Sequence, residues 1–217
     1  MLDFDTARRT MVDCQIRTND VTNPELLDAL FEVPRERFVP QARVELAYID
    51  EDIEVAPGRY VMEPAPLAKL LQAANVDPGD VVLDIGCATG YTTAILSRLA
   101  SMVIAVESDA ALAARAAETL NELDYDNTVV IKGDAARGYP GEGPYDLIFI
   151  GGAVDAVPAG LLDQLRDGGK LVAVEGRGNA AVARQYTRQG DDISTRTLFN
   201  CAVRPVPGFE KKAEFVF

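Results

Sequence analysis

The chain contains no histidine. That absence excludes Ser–His and Cys–His nucleophile pairs, imidazole proton shuttles and the usual zinc ligand sets together. Cysteine is scarce and scattered: Cys14, Cys87 and Cys201 form no CxxC. An odd count of this kind argues against a disulfide framework, and no metal site is expected. No apolar run approaches the roughly 20 residues that a membrane helix needs. The opening stretch, MLDFDTARRTMVDCQIR, is charged throughout and has no apolar signal core, so a cytoplasmic location is expected. A basic stripe is missing too. Lysine and arginine number 21 against 34 acidic residues, a net charge of −13, and the pairs Arg8–Arg9 and Lys211–Lys212 do not offset it. Nucleic acid is therefore not an expected partner, and the acidity reads as a solubility feature.

What remains is an ordinary globular composition, 48% hydrophobic and 25% charged over 217 residues. That length fits one large domain, or a domain with a smaller lobe, and buries about 70% of the unfolded surface. Residues 5–48 read as helical. Within them NPELLDALFEVP offers Asn23 as an N-cap and a proline at the first helical position. DEDIEVAPGRYVMEP has neither a helix nor a strand period and reads as a long ordered loop. PAPLAKLLQAANV is a helix with Leu67, Leu70 and Leu71 on one face.

From Asp80 strands and helices alternate. The expected strands are VVLDIG, MVIAVE, TVVIKGD, YDLIFIGGA and KLVAVEG. Between them lie YTTAILSRLA, the amphipathic SDAALAARAAETLNEL with Ser108 as its N-cap, and VPAGLLDQLRDGG ending at Gly168. Five continuous apolar strands separated mostly by helices imply a parallel sheet covered on both faces. The last stretch carries two further strand-like runs, ISTRTLF and AEFVF, expected to close one edge antiparallel. The expected organisation is thus an N-terminal helical segment with a functional loop (1–76), an α/β core (77–178) and C-terminal antiparallel strands (179–217).

The turn after the first core strand names the ligand class. A phosphate-binding P-loop needs a lysine after its last glycine, and none follows Gly90. A dinucleotide fingerprint needs GxGxxG, but Ala88 and Tyr91 stand where the second and third glycines would be. What remains is Asp84-x-Gly86-x-Ala88-x-Gly90, which matches the first motif of class I S-adenosylmethionine methyltransferases. That cofactor carries an α-ammonium and a sulfonium, so an acidic strand end suits it. Glu107, 23 residues after Asp84, ends the second strand and is placed to accept from both ribose hydroxyls. Asp134 ends the third and is placed to accept from the adenine amine. Cys87, Tyr91, Ser108 and Ala135 adjoin these positions and complete the expected cofactor set. Cys87 itself reads as a small residue that fits the turn.

At this point the chain resembles the protein-L-isoaspartate O-methyltransferases. MVDCQIR followed by LLDALFEVPRERFVP is similar to that family's N-terminal segment, and YDLIFIGGAVDAVPAGLLDQLRDGGKLVAVEG to its region from fourth to fifth strand. The likeness runs to Gly176. It implies a Rossmann-like α/β fold with a mostly parallel seven-stranded sheet and an added N-terminal helical portion. It also implies protein repair by methyl transfer from S-adenosylmethionine to a carboxylate, an isoaspartyl residue or a related small acid. No catalytic residue is assigned, because an ionised carboxylate is already a competent nucleophile and catalysis is mainly alignment. The chain departs from the family in its substrate loop, where Tyr60, Val61 and Met62 stand in place of Thr-Ile-Ser. A thioether cannot donate the hydrogen bond of the family's serine. Such a departure reads as neutral change in a working repair enzyme, as a changed acceptor, or as a module that binds the cofactor without turnover.

Overall fold

The computed structural model describes residues 3–210. The N-terminal portion is helical for local reasons. Helix α1 (Phe4–Met11) starts where Asp3 accepts from the Thr6 amide at 3.2 Å, and continues into a π-turn over Val12–Ile16. Helix α2 (Pro24–Glu32) has its proline at the first position, and Asn23 Oδ1 accepts from the Leu26 amide at 2.8 Å. Two 3-10 turns, Arg35–Phe38 and Gln41–Leu46, lead to the expected long loop. That loop is instead a hairpin, β1 (Ile53–Ala56) against β2 (Arg59–Val61). Pro57 and Gly58 make its turn, with Gly58 at φ +71°, and Ile53 faces Val61 on the buried side. The strands are too short for a period to register, but the Pro-Gly dipeptide was a legible turn signal. Helix α3 (Pro64–Ala74) follows and buries Leu67, Leu70 and Leu71 as expected.

The core strands are β3 (Val81–Ile85), β4 (Met102–Glu107), β5 (Thr128–Lys132), β6 (Tyr145–Val154) and β7 (Leu165–Glu175). With β8 (Val182–Gln189) and β9 (Asp192–Asn200) they form one seven-stranded sheet in the order β5-β4-β3-β6-β7-β8-β9. β3 to β7 are parallel, and β8 and β9 add on antiparallel. Alternate residues feed two cores. Val82, Val103, Leu147 and Phe149 join the N-terminal helices, α3 and α4 (Tyr91–Leu99) on one face. Leu83, Ile104, Ile148 and Ile150 join the opposite cluster. Both faces being buried explains why these strands read as continuous apolar runs.

Two expectations need correction. The helix expected to end at Gly168 is a single turn, α6 (Ala159–Leu162), and strand β7 already begins at Leu165. Gln164 stops it by spending its side-chain amide on the carbonyls of Gly160 and Arg137, both at 2.8 Å. Helix α5 (Ala110–Glu122) is capped by Asp109, which accepts from Ala111 and Leu112; Ser108 lies one residue further out. β8 was not singled out from sequence, because VARQYTRQ alternates polar with apolar only weakly. The expected strand AEFVF lies outside the described residues. On the second face the cover is thin: α6, the turn at 135–137 and the irregular segment 204–209 do what long helices do on the first.

Candidate active site

The chain leaves β3 for β4 on one side and β6 for β7 on the other, so strand order reverses between β3 and β6. In open α/β sheets the ligand crevice lies beyond the carboxyl ends of the strands at that reversal. The Gly86–Gly90 turn stands there. Gly86, Ala88 and Gly90 all have positive φ (+76°, +51° and +94°), so the turn needs three left-handed residues in five and supplies glycine at two of them. At Ala88 the missing glycine costs about 1–2 kcal/mol of backbone strain. The end of β6 comes close beside it: a methyl group on Gly151 would lie 3.1 Å from the Gly86 carbonyl oxygen.

The expected acidic residues do sit at three consecutive strand ends, in very different surroundings. Asp84 is wholly buried. Thr93 Oγ1 donates to its Oδ2 at 2.7 Å, and among the described residues Oδ1 has no partner. Burial pushes its pKa up to about 7; the nearby Glu107 charge adds to this, and the Thr93 hydrogen bond opposes it. Glu107 is also fully buried and richly bonded. It accepts from the amides of Ala88 (2.8 Å) and Asp109 (2.9 Å) and from the Ser108 hydroxyl (3.3 Å). Asp134 is exposed, caps the following turn through the Ala136 amide at 3.0 Å and lies 3.6 Å from Arg137. Ala135 beside it is buried in the second core.

The other expected cofactor residues separate. Cys87 is buried, and burial pushes its thiol well above the ordinary value, which fits a space-filling role and not a nucleophile. Tyr91 packs toward the N-terminal portion. Its ring lies 5.7 Å from that of Phe38 and under the Arg35 guanidinium at 4.8 Å. It ties the first portion of the chain to the turn.

Sequence reasoning missed the residue that dominates the site. Arg59, on β2, is 6% exposed and pairs with Glu107 through two nitrogens, at 2.5 and 2.6 Å. The second of these nitrogens also donates to the Gly86 carbonyl at 3.2 Å. The one signal for it was a charged residue inside the short run RYV. The C-terminal segment closes the same point. Ala153 donates to the Arg204 carbonyl and Val206 to the Ala153 carbonyl, both at 2.9 Å. Val206 Cγ1 would lie 2.9 Å from a methyl on Gly86, and Cγ2 the same distance from one on Gly152. Val206 thus covers the strand reversal. The substrate-loop residues lie alongside. Tyr60 carries the Arg204 guanidinium over its ring at 5.1 Å, Val61 is buried, and Met62 is buried with its carbonyl held by Arg35 at 2.8 Å. The cavity that Tyr60, Met62, Arg59, Gly151 and Val206 line measures about 10 Å³, room for about one water molecule.

Comparison with known proteins agrees with this architecture. The family model described as protein-L-isoaspartate(D-aspartate) O-methyltransferase (PCMT) matches residues 7–211. A protein-L-isoaspartate O-methyltransferase of Roseiflexus castenholzii is 38% identical over 206 residues, 95% of this chain and 93% of the relative. One of Koribacter versatilis is 33% identical over 205 residues, 94% and 92% of the two chains. Among solved structures, a protein-L-isoaspartate O-methyltransferase superposes with a TM-score of 0.80 at 23% identity, over 93% of this chain and 67% of that one. A putative one from Plasmodium falciparum, in complex with S-adenosyl-L-homocysteine, gives 0.79 at 20% identity, over 96% and 100%. These two likenesses carry the fold. The chain belongs to the protein-L-isoaspartate(D-aspartate) O-methyltransferase family.

Proposed function

We propose that the protein is an S-adenosylmethionine-dependent O-methyltransferase that esterifies the carboxylate of isoaspartyl residues in proteins or peptides. The observation that carries this reading is the row of carboxylates Asp84, Glu107 and Asp134 at three consecutive parallel strand ends around the Gly86–Gly90 turn. In kind and order they suit the cofactor. Asp84 puts a carboxyl near an ammonium and a sulfonium, whose positive charge would favour its ionised form, Glu107 accepts hydroxyls, and Asp134 accepts an exocyclic amine. In space they do not suit it as arranged here, because Arg59 holds Glu107 and Val206 covers Gly86.

When bound, the cofactor supplies an activated methyl group. The protein's own contribution is positional. An isoaspartyl carboxylate is ionised at neutral pH and needs no general base, so the work lies in holding its oxygen in line with the methyl. The hairpin β1–β2 and the end of β6 are the elements placed to do that. Arg35, fully buried, fixes the hairpin from below through the carbonyls of Ala47 (2.7 Å) and Met62 (2.8 Å).

A second reading is a different carboxylate acceptor. Met62 favours it, because a buried thioether stands where the family's serine would donate. Mass spectrometry of an isoaspartyl peptide incubated with the protein and S-adenosylmethionine separates the two. One added methyl ester, absent from the matching aspartyl peptide, is expected. No ester on the isoaspartyl peptide, with transfer to another acid, would transfer the assignment to the second reading.

A further inference from the structure

We infer that Arg59 and the segment Arg204–Phe209 are a built-in occupant of the cofactor cleft, and that the cofactor enters only when they withdraw together. The inference rests on the methyltransferase reading above. Three observations carry it. First, the carboxylate placed to take the ribose hydroxyls is already satisfied: both Glu107 oxygens face Arg59 nitrogens at 2.5 and 2.6 Å. A guanidinium presents paired N–H donors to a carboxylate much as a vicinal diol presents paired O–H donors. Arg59 thus stands in for the ribose. Second, Val206 lies over the strand reversal against Gly86 and Gly152, where a bound nucleoside's methionine end would approach the glycine turn. Third, Phe209 is buried in the same apolar cluster as Ala135, Ile85 and Ile150, on the side expected for the base.

The two closing parts are linked. Arg204 lies 3.3 Å from Asp52, which precedes β1, and sits over the Tyr60 ring, which follows Arg59 on β2. Lifting the hairpin to free Glu107 therefore breaks the grip on residue 204. Releasing residues 204–206 from β6 likewise uncovers the hairpin. The backbone holding the segment is small, two hydrogen bonds between Ala153 and residues 204 and 206. This makes it a closure that a ligand's binding energy is able to reverse. Affinity is then reduced by the fraction of molecules that are open.

The test is calorimetric titration of S-adenosylhomocysteine into the full-length protein and into two variants, Val206→Ser and Arg59→Ala. Hydrogen exchange at the Ala153 and Val206 amides is followed with and without the ligand. Val206→Ser loosens the segment without removing a charge, so it answers even where Arg59→Ala, which leaves Glu107 without its cation, fails to fold. The expected result is affinity about tenfold or more higher in the variants, with loss of protection at both amides when the parent protein is saturated. Equal affinity in parent and variants, with both amides still protected, would overturn the inference and leave the methyltransferase reading standing. Binding by neither parent nor variants would overturn both.

Discussion

At the scale of single residues, the site is organised by two buried carboxylates that behave in opposite ways. Glu107 has a cation and backbone donors, whereas Asp84 has one hydroxyl and, among the described residues, a lone oxygen without a partner. Removing the Glu107 charge leaves Arg59 buried and unpaired. Glu107→Ala is therefore expected to cost about 3–5 kcal/mol of stability, read as a lower urea midpoint at an unchanged slope. A loss under about 1 kcal/mol would mean that the pair is solvated and weak. Asp84 makes stability depend on pH. Its carboxyl shifts from 3.8 to about 7 on folding, so the folded state holds the proton more tightly. Its contribution is complete below 3.8 and is lost as pH rises through about 7. The loss is on the order of 4 kcal/mol. Asp84→Asn keeps the shape of the neutral acid and is expected to match the parent in thermal melts near pH 4 while exceeding it at pH 8. A variant less stable than the parent at pH 8 would show that the ionised form is welcome there. From sequence, both acids were legible because strand ends were legible. Their difference was not, since it depends on Arg59, which arrives from 48 residues before Glu107.

At the scale of elements, the hairpin β1–β2 lies beside the strand reversal, and its proposed role is to set what the site accepts. Sequence alone left it a loop because three- and four-residue strands carry too little periodicity, although the family resemblance had drawn notice to the run Tyr60–Val61–Met62 at its end. Met62 lines the small cavity together with Gly151 and Val206, so a shorter serine in its place would leave more space open. The double change Tyr60→Thr with Met62→Ser is expected to raise kcat/KM on isoaspartyl peptides by about tenfold. That corresponds to one recovered hydrogen bond to substrate at about 1.4 kcal/mol. An unchanged ratio in a folded protein would remove these residues from acceptor choice. The core strands β3 to β7 and the helices α2 to α5 were readable for the opposite reason: prolines and continuous apolar runs are local signals. Helix α6 was overread, because the apolar pattern from 157 to 165 fits a helix until Gln164 turns its amide back onto Gly160.

At the scale of the whole molecule, the fold class followed from five apolar strands in alternation, and the expected ligand position from where strand order reverses. The proposed closure of that position did not. It rests on a residue from the hairpin and a segment about 50 residues beyond β6 meeting at one point, which no local pattern encodes. The net charge of −13 sets a further whole-molecule expectation. The protein is expected to leave duplex DNA and RNA unshifted in gels at moderate salt, since its field repels phosphate; a salt-sensitive shift would reveal a cationic face. The most direct test of the account is methyl transfer to an isoaspartyl peptide by the parent protein and by Val206→Ser as cofactor concentration is raised. The variant is expected to be half-saturated at about one tenth of the parent's cofactor concentration. Transfer by neither protein, or identical half-saturation in both, would contradict it.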